Sequence, residues 1–215
     1  MTISRRRVLW YLAGGLAGTR QAFAQTAPRT FEESYRTIAP RPTPAGEVIE
    51  VIDFFWYGCP YCYRLLPLLM AWEKSKPADV VLRHIPAVLR QEWLPDAHRY
   101  YTLEMLGEAD RLHAKAFDAI NRDHLLSTDT EGWAKWAVAN GIERAKWDAA
   151  YNAQAVRDKV VRAADLARDY DVRATPVIVV DGRYQTGSGQ SGSVQNVMPT
   201  VDGLIKLARE RRKKG

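Results

Sequence analysis

A largely apolar run, Val48 to Trp56, leads directly into Cys59-Pro60-Tyr61-Cys62, and Leu65, Leu66, Leu68, Leu69 and Trp72 follow at helical spacing. The pattern predicts a buried strand, a tight turn and then a helix, with a C-x-x-C in the turn. These two are the chain's only cysteines. A cysteine at a helix N-terminus faces unpaired N–H groups and the positive end of the helix dipole. Both favour the thiolate, which is the reactive species. Pro60 suits the first helical position, where its missing N–H costs nothing. Cys59 is thus placed to react and Cys62 to resolve, and the arrangement reads as a redox centre.

Two blander readings are weaker. A disulfide joining residues this close closes almost no loop and stabilises little. A structural zinc site needs four ligands, and His84, His98, His113 and His124 are scattered along the sequence without pairing. No metal site and no cofactor is expected.

The N-terminus reads as a targeting segment. Arg5, Arg6 and Arg7 precede a short apolar stretch, Val8 to Gly18, and Ala22-Phe23-Ala24 forms a small-x-small cleavage site, so residues 1–24 are expected to be a cleaved signal peptide. Ser4-Arg5-Arg6 with Val8-Leu9 resembles a twin-arginine signal, and an arginine-rich Sec signal fits equally well. Either route takes the protein out of the cytoplasm. The removed piece carries four arginines and no acids, so the formal charge falls from +6 to +2 over the remaining 191 residues. The basic tail, Arg209 to Lys214, has no interleaved aromatics and reads as a solvated end, so no nucleic-acid partner is expected.

Gln25 to Gly46 is proline-rich, with an edge strand expected over Phe31 to Ile38. Further strands are expected at Val48–Phe55, Val80–Ile85, Val177–Val180 and Arg183–Thr186, the last two joined by a turn at Asp181-Gly182. Cys59 to Lys76 is the helix that carries the redox pair. From Trp93 to Asn152 the pattern is helical, with Phe117, Trp133, Trp136, Trp147 and Tyr151 as packing residues. A helix over Val156–Tyr170 is expected to turn Val160, Val161, Ala164, Leu166 and Ala167 toward a core. A glycine- and serine-rich loop, Gly187–Ser193, precedes a final helix over Val194–Arg212. C-x-x-C in this strand–turn–helix setting is a thioredoxin-like signal. The fold class is therefore α/β: a thioredoxin fold with a helical insertion. Its first part spans 25–90, the insertion 91–153 and its second part 154–215.

At Phe54-Phe55-Trp56-Tyr57-Gly58-Cys59-Pro60-Tyr61-Cys62-Tyr63 and Arg173-Ala174-Thr175-Pro176-Val177-Ile178 the chain resembles the DsbA family of bacterial periplasmic thiol:disulfide oxidoreductases. The resemblance covers essentially the whole chain after the signal. It implies a periplasmic monomer that donates a disulfide to newly exported, unfolded proteins and is reoxidised by a DsbB-type membrane quinone reductase. It implies that Cys59 is the exposed nucleophile and Cys62 the buried resolving thiol. Pro176 matches the family's cis-proline beside the redox pair, a bond uncommon enough to have a purpose. Asp53, six residues before Cys59, matches a buried acid that shuttles protons for Cys62. Thr175 would pair with an extended substrate backbone, and Pro60, Tyr61, Trp56 and Tyr57 would supply apolar contact.

Two departures from the family pattern bear on how oxidising the pair is. Tyr61 stands where the familiar motif has histidine, and tyrosine carries no positive charge to stabilise a thiolate. Thr175 stands where some oxidases have valine, as it does in isomerase-type relatives. Two other functions therefore stay open: a periplasmic reductase or isomerase, and a redox-inert peptide-binding module.

Overall fold

The computed structural model describes residues 29–43 and 48–214; the expected signal peptide lies outside these residues. Five strands form one sheet: β1 (Arg36–Thr37), β2 (Ile49–Phe55), β3 (Val80–Pro86), β4 (Val177–Val180) and β5 (Tyr184–Thr186). Their spatial order is β1-β5-β4-β2-β3. β2 runs parallel to β3 and antiparallel to β4, and β5 is antiparallel to β4 and β1. Every residue of β2 is buried, as a central strand covered on both faces requires.

Between β2 and β3 lies α1 (Pro60–Ser75). Four helices follow β3, namely α2 (Leu94–Met105), α3 (Ala109–Asn121), α4 (Thr130–Ala139) and α5 (Arg144–Tyr151); then α6 (Gln154–Asp169) leads to β4, and α7 (Val197–Arg212) closes the chain. The terminators are those the sequence supplies. Gly107 and Gly141 take positive φ, 72° and 89°, just beyond α2 and α4, the left-handed geometry that glycine adopts most readily. Asp181 and Gly182 both have positive φ, 55° and 59°. That pair forms the turn, closed by the bond from the Arg183 amide to the Val180 carbonyl, in the three-residue loop that joins β4 to β5.

The sheet separates two apolar layers. On one face Ile49, Val51, Ile178 and Val180 pack with Leu65 and Leu69 of α1 and with Val201 and Leu204 of α7. On the other, Ile52, Phe54, Val177 and Val179 meet the helical block, where Phe117, Trp133 and Trp147 are buried. Trp136 and Tyr151 pack against that second layer from its edge. Among the described residues no helix is long and apolar enough to cross a membrane.

Two expectations need correction. The N-terminal strand is only Arg36–Thr37, because Glu32–Ser34 coils into a 3₁₀ turn. The Ser34 amide and hydroxyl both bond to the Phe31 carbonyl, and the Glu33 carboxylate accepts from the Thr30 amide; such local bonds compete with strand pairing. On α6 the buried face is Val156, Val160, Ala163 and Ala167, while Ala164 and Leu166 are half-buried and Val161 is 60 % exposed. Val160 and Val161 are adjacent, and a helix turns neighbours about 100° apart, so only one of them can face the core. Val160→Ala should therefore cost about 2 kcal/mol of unfolding free energy through lost burial and a residual cavity. Val161→Ala should stay within about 0.5 kcal/mol. Denaturant unfolding of the two variants checks the assignment, and equal losses would contradict this helix register.

Candidate redox site

Cys59 is the N-cap of α1 and Pro60 occupies its first turn. The Cys59 sulfur accepts the Cys62 amide at 3.3 Å and lies 3.3 Å from the Thr175 carbonyl oxygen. Both cysteines are free thiols. A hydrogen bond from the Cys62 thiol, working against burial, and further bonds involving Thr175 and the amides of Cys62 and Tyr61 hold the Cys59 thiol at about 6 rather than 9.0. Cys62 moves the other way. Burial, the bond to Cys59 and the charges of Cys59 and Asp53 push its thiol well above 9.0. One sulfur is therefore prepared as a thiolate and the other is kept as a thiol.

The expected exposure of Cys59 is not found. As a residue it is only 5 % exposed, against 4 % for Cys62. The reason is the loop before β4, whose Thr175 carbonyl closes over the sulfur. The peptide bond between Thr175 and Pro176 is cis, the geometry that the family resemblance implies there.

Asp53 is 3 % exposed and is not a solvent-facing strand end. The parallel register of β2 and β3 sets it opposite His84, and its carboxylate meets His84 Nδ1 at 2.9 Å. Burial works against the His84 cation, but the bond and charge of Asp53, aided by Glu73 and Asp110, outweigh it and raise the His84 pKa above 6.5. His113 lies beside it, with ring centroids 4.8 Å apart. Burial, reinforced by the nearby His84, holds the His113 pKa well below 6.5. The histidines that look scattered in sequence thus include a neighbouring pair, one poised to charge and one kept neutral. Among the described residues no group of three potential ligands is placed to hold a metal ion.

The motif's aromatic residues separate by place. Tyr57 is fully buried, with its hydroxyl 3.1 Å from His113 Nδ1 and its carbonyl accepting from the Asn121 side chain. It cannot touch a substrate, contrary to expectation. Trp56 stacks on Trp93, centroids 4.3 Å apart, and its indole N–H donates to Asp96 at 2.7 Å. Asp96 is itself buried and bonded to Ser127 and to the fully buried Arg99, whose guanidinium lies over the Trp133 ring. The Trp56 ring also lies across Gly58, where a Cβ would fall 2.3 Å from it; only glycine fits between Trp56 and the redox pair.

Tyr61 is half exposed, with the Arg64 guanidinium 4.4 Å above its ring. Together with Thr175, Pro176 and the loop after β5 it lines an open groove of about 610 Å³. Trp56 and Pro60 are not part of that lining. No sequence pattern points to His84, His113, Asp96 or Arg99 at the site. Asp96 and Arg99 stand one helical turn apart, a spacing that reads equally well as a surface ion pair.

Residues 50–196 match the family described as DSBA-like thioredoxin domain. The chain is 31 % identical over 201 residues to the thiol:disulfide interchange protein DsbA of Burkholderia cepacia, covering 94 % of this chain and 93 % of that protein. It is 33 % identical to the protein of the same name from Bordetella parapertussis, covering 92 % of this chain and 95 % of the relative. The crystal structure of Pseudomonas aeruginosa DsbA superposes with a TM-score of 0.80 at 31 % identity, over 84 % of this chain and 95 % of that one. With a matching fold, a cysteine pair at the N-terminus of α1 and a cis-proline beside it, this chain belongs to the DSBA-like thioredoxin domain family.

Proposed function

We propose that this protein is a dithiol oxidase that passes a Cys59–Cys62 disulfide to reduced proteins after their export. The observation that carries the reading is the placement of the two sulfurs, Cys59 capping α1 and accepting the Cys62 amide beside Thr175, Cys62 buried in the first turn, which pushes the first thiol down and the second up. A substrate thiolate attacks Cys59 in the disulfide. The bond between the two cysteines breaks, and Cys62 leaves with the electron pair and takes up a proton. A second substrate thiolate then attacks the substrate sulfur of the mixed disulfide, and Cys59 leaves as a thiolate. The substrate dithiol is oxidised and the cysteine pair is reduced. A stabilised thiolate is a good leaving group, and stabilising the reduced form makes the couple more oxidising.

Export through the segment at 1–24, a periplasmic location, a monomeric state and reoxidation by a DsbB-type quinone reductase complete the reading. The family relationship and the N-terminal sequence pattern support these, as they support the division at 25–90, 91–153 and 154–215. Thr175 is the substrate-pairing residue, supported by its place over the Cys59 sulfur, and Tyr61 the neighbouring apolar contact. Trapping the thiols directly in cells, by acid quenching and alkylation, tests the function. An oxidase is found mainly as the disulfide, whereas a mainly dithiol population would mean a reductase or isomerase.

The assignment of Cys59 as nucleophile has its own test. Alkylation of the reduced protein across pH 5 to 9 should label Cys59 first, with a rate midpoint near 6. Prior labelling of Cys62, or a midpoint near 9, would reverse the roles.

Asp53 acts as proton acceptor and donor for Cys62, with His84 as its partner. A folded pKa raised above 6.5 means that the charged His84–Asp53 pair stabilises the fold fully below pH 6.5 and loses that contribution as pH rises through the folded value. Asp53→Asn should therefore cost about 1–3 kcal/mol near pH 6 and distinctly less near pH 9. The disulfide form is the one to unfold, because the Cys59 thiol titrates in the same range in the reduced form. A cost that stays flat or grows with pH would show that the pair is not charged.

A further inference from the structure

The groove beside the redox pair is unevenly charged. Arg29, Arg36 and Arg173 line it, and Asp171 is the one carboxylate that answers them. Arg36 meets the Asp171 carboxylate at 2.9 Å and Arg173 meets it at 2.8 Å, so one anion is shared by two cations. Arg29 has no carboxylate partner among the described residues; its guanidinium donates to the carbonyls of Gly189 and Gln190. Arg64, held over the Tyr61 ring at 4.4 Å, adds a further cation beside that groove residue. Each guanidinium is fixed by a carbonyl, a carboxylate or a ring, and the Arg173 side chain remains 82 % exposed. The charges are thus set in place before any ligand arrives, with donors still open toward the groove.

We propose that this groove selects substrate segments in which aspartate or glutamate flanks the reactive cysteine, and disfavours segments flanked by lysine or arginine. The inference rests on the oxidase reading above and adds a substrate class to it. Preorganised guanidiniums recognise carboxylates with fixed geometry. Rim charges of one sign act mainly on the rate of encounter, and salt screens that effect. The backbone of Thr175 reads any extended segment, so the arginines supply the discrimination that the backbone cannot.

The test uses three reduced dithiol peptides of equal length, with Glu-Glu, Ser-Ser or Lys-Lys beside the first cysteine, oxidised by the disulfide form of the full protein. The Glu-flanked peptide should react about fivefold faster than the Lys-flanked one in low salt, with the Ser-flanked peptide between them. The ratio should fall toward one in 0.5 M salt and in an Arg29→Ser/Arg173→Ser variant; Arg36 is left in place because it joins β1 to Asp171. Equal rates, a preference for the Lys peptide, or a ratio unchanged in the variant would overturn the inference and leave the oxidase reading standing. If none of the peptides is oxidised, the oxidase reading itself fails. Co-sedimentation with anionic lipid vesicles, with a peptide ratio of one, would assign the arginines to a membrane surface and also overturn the inference.

Discussion

The bond from the Cys62 amide to the Cys59 sulfur caps a helix and tunes a reaction at once. A helix begins with N–H groups that have no partner within the helix. Here a sulfur answers one of them, and the same contact favours charge on that sulfur. The cap works only if the helix start is fixed relative to the sheet. Leu65 and Leu69 fix it on one face and Leu66 on the other, where Cys62 also lies. Reactivity at Cys59 therefore rests on apolar packing that never touches a substrate.

A second set of contacts holds the turn before the cysteines against the helical block. Trp56 is tied to Asp96, Asp96 to Arg99 and Ser127, and Arg99 to Trp133. Ions buried this deeply are costly unless paired and hydrogen-bonded, and this network is satisfied except at Arg99 Nε. Neutral, well-packed side chains would fill the same volume. What the charged network adds is direction: a hydrogen bond fixes the Trp56 ring across Gly58 in a way that apolar contact alone would not. The helical insertion and the redox turn are joined at this point, which makes the four-helix block part of the site's scaffold.

Much of this architecture is legible in the sequence. The strand–turn–helix around Cys59, the hairpin at Asp181-Gly182 and the glycine terminators depend on local sequence, and local sequence dictates them; the cis-proline at Pro176 is legible only through the family resemblance. What sequence patterns misplace has a different origin. Val161 is apolar and reads as core, but the orientation of α6 is set by what it packs against. Tyr57 reads as a contact residue, yet its hydroxyl finds a buried histidine contributed by α3. His84 and His113 are separated by a whole helix in sequence and become neighbours only when β3 and α3 are brought together. Long-range polar partnerships leave no periodic trace in a sequence, so pattern reading sees the participants and misses the pairs.

Tyr61 then takes on a different meaning. In sequence it is the loss of a charge that would steady the thiolate. In the structure the thiolate is steadied without it, by the Cys62 thiol, the Thr175 side chain and the amides at the helix start. These groups are fixed, short-ranged and largely insensitive to salt. The cations of the region lie elsewhere, on Arg64 above the Tyr61 ring and on the arginines along the groove, where their fields reach toward approaching chains. A histidine between the cysteines would couple thiolate stability and the charge facing a substrate to one titrating ring. With tyrosine there, the Cys62 thiol, Thr175 and the helix-start amides control the sulfur and the arginines face the partner, so either property can change without the other.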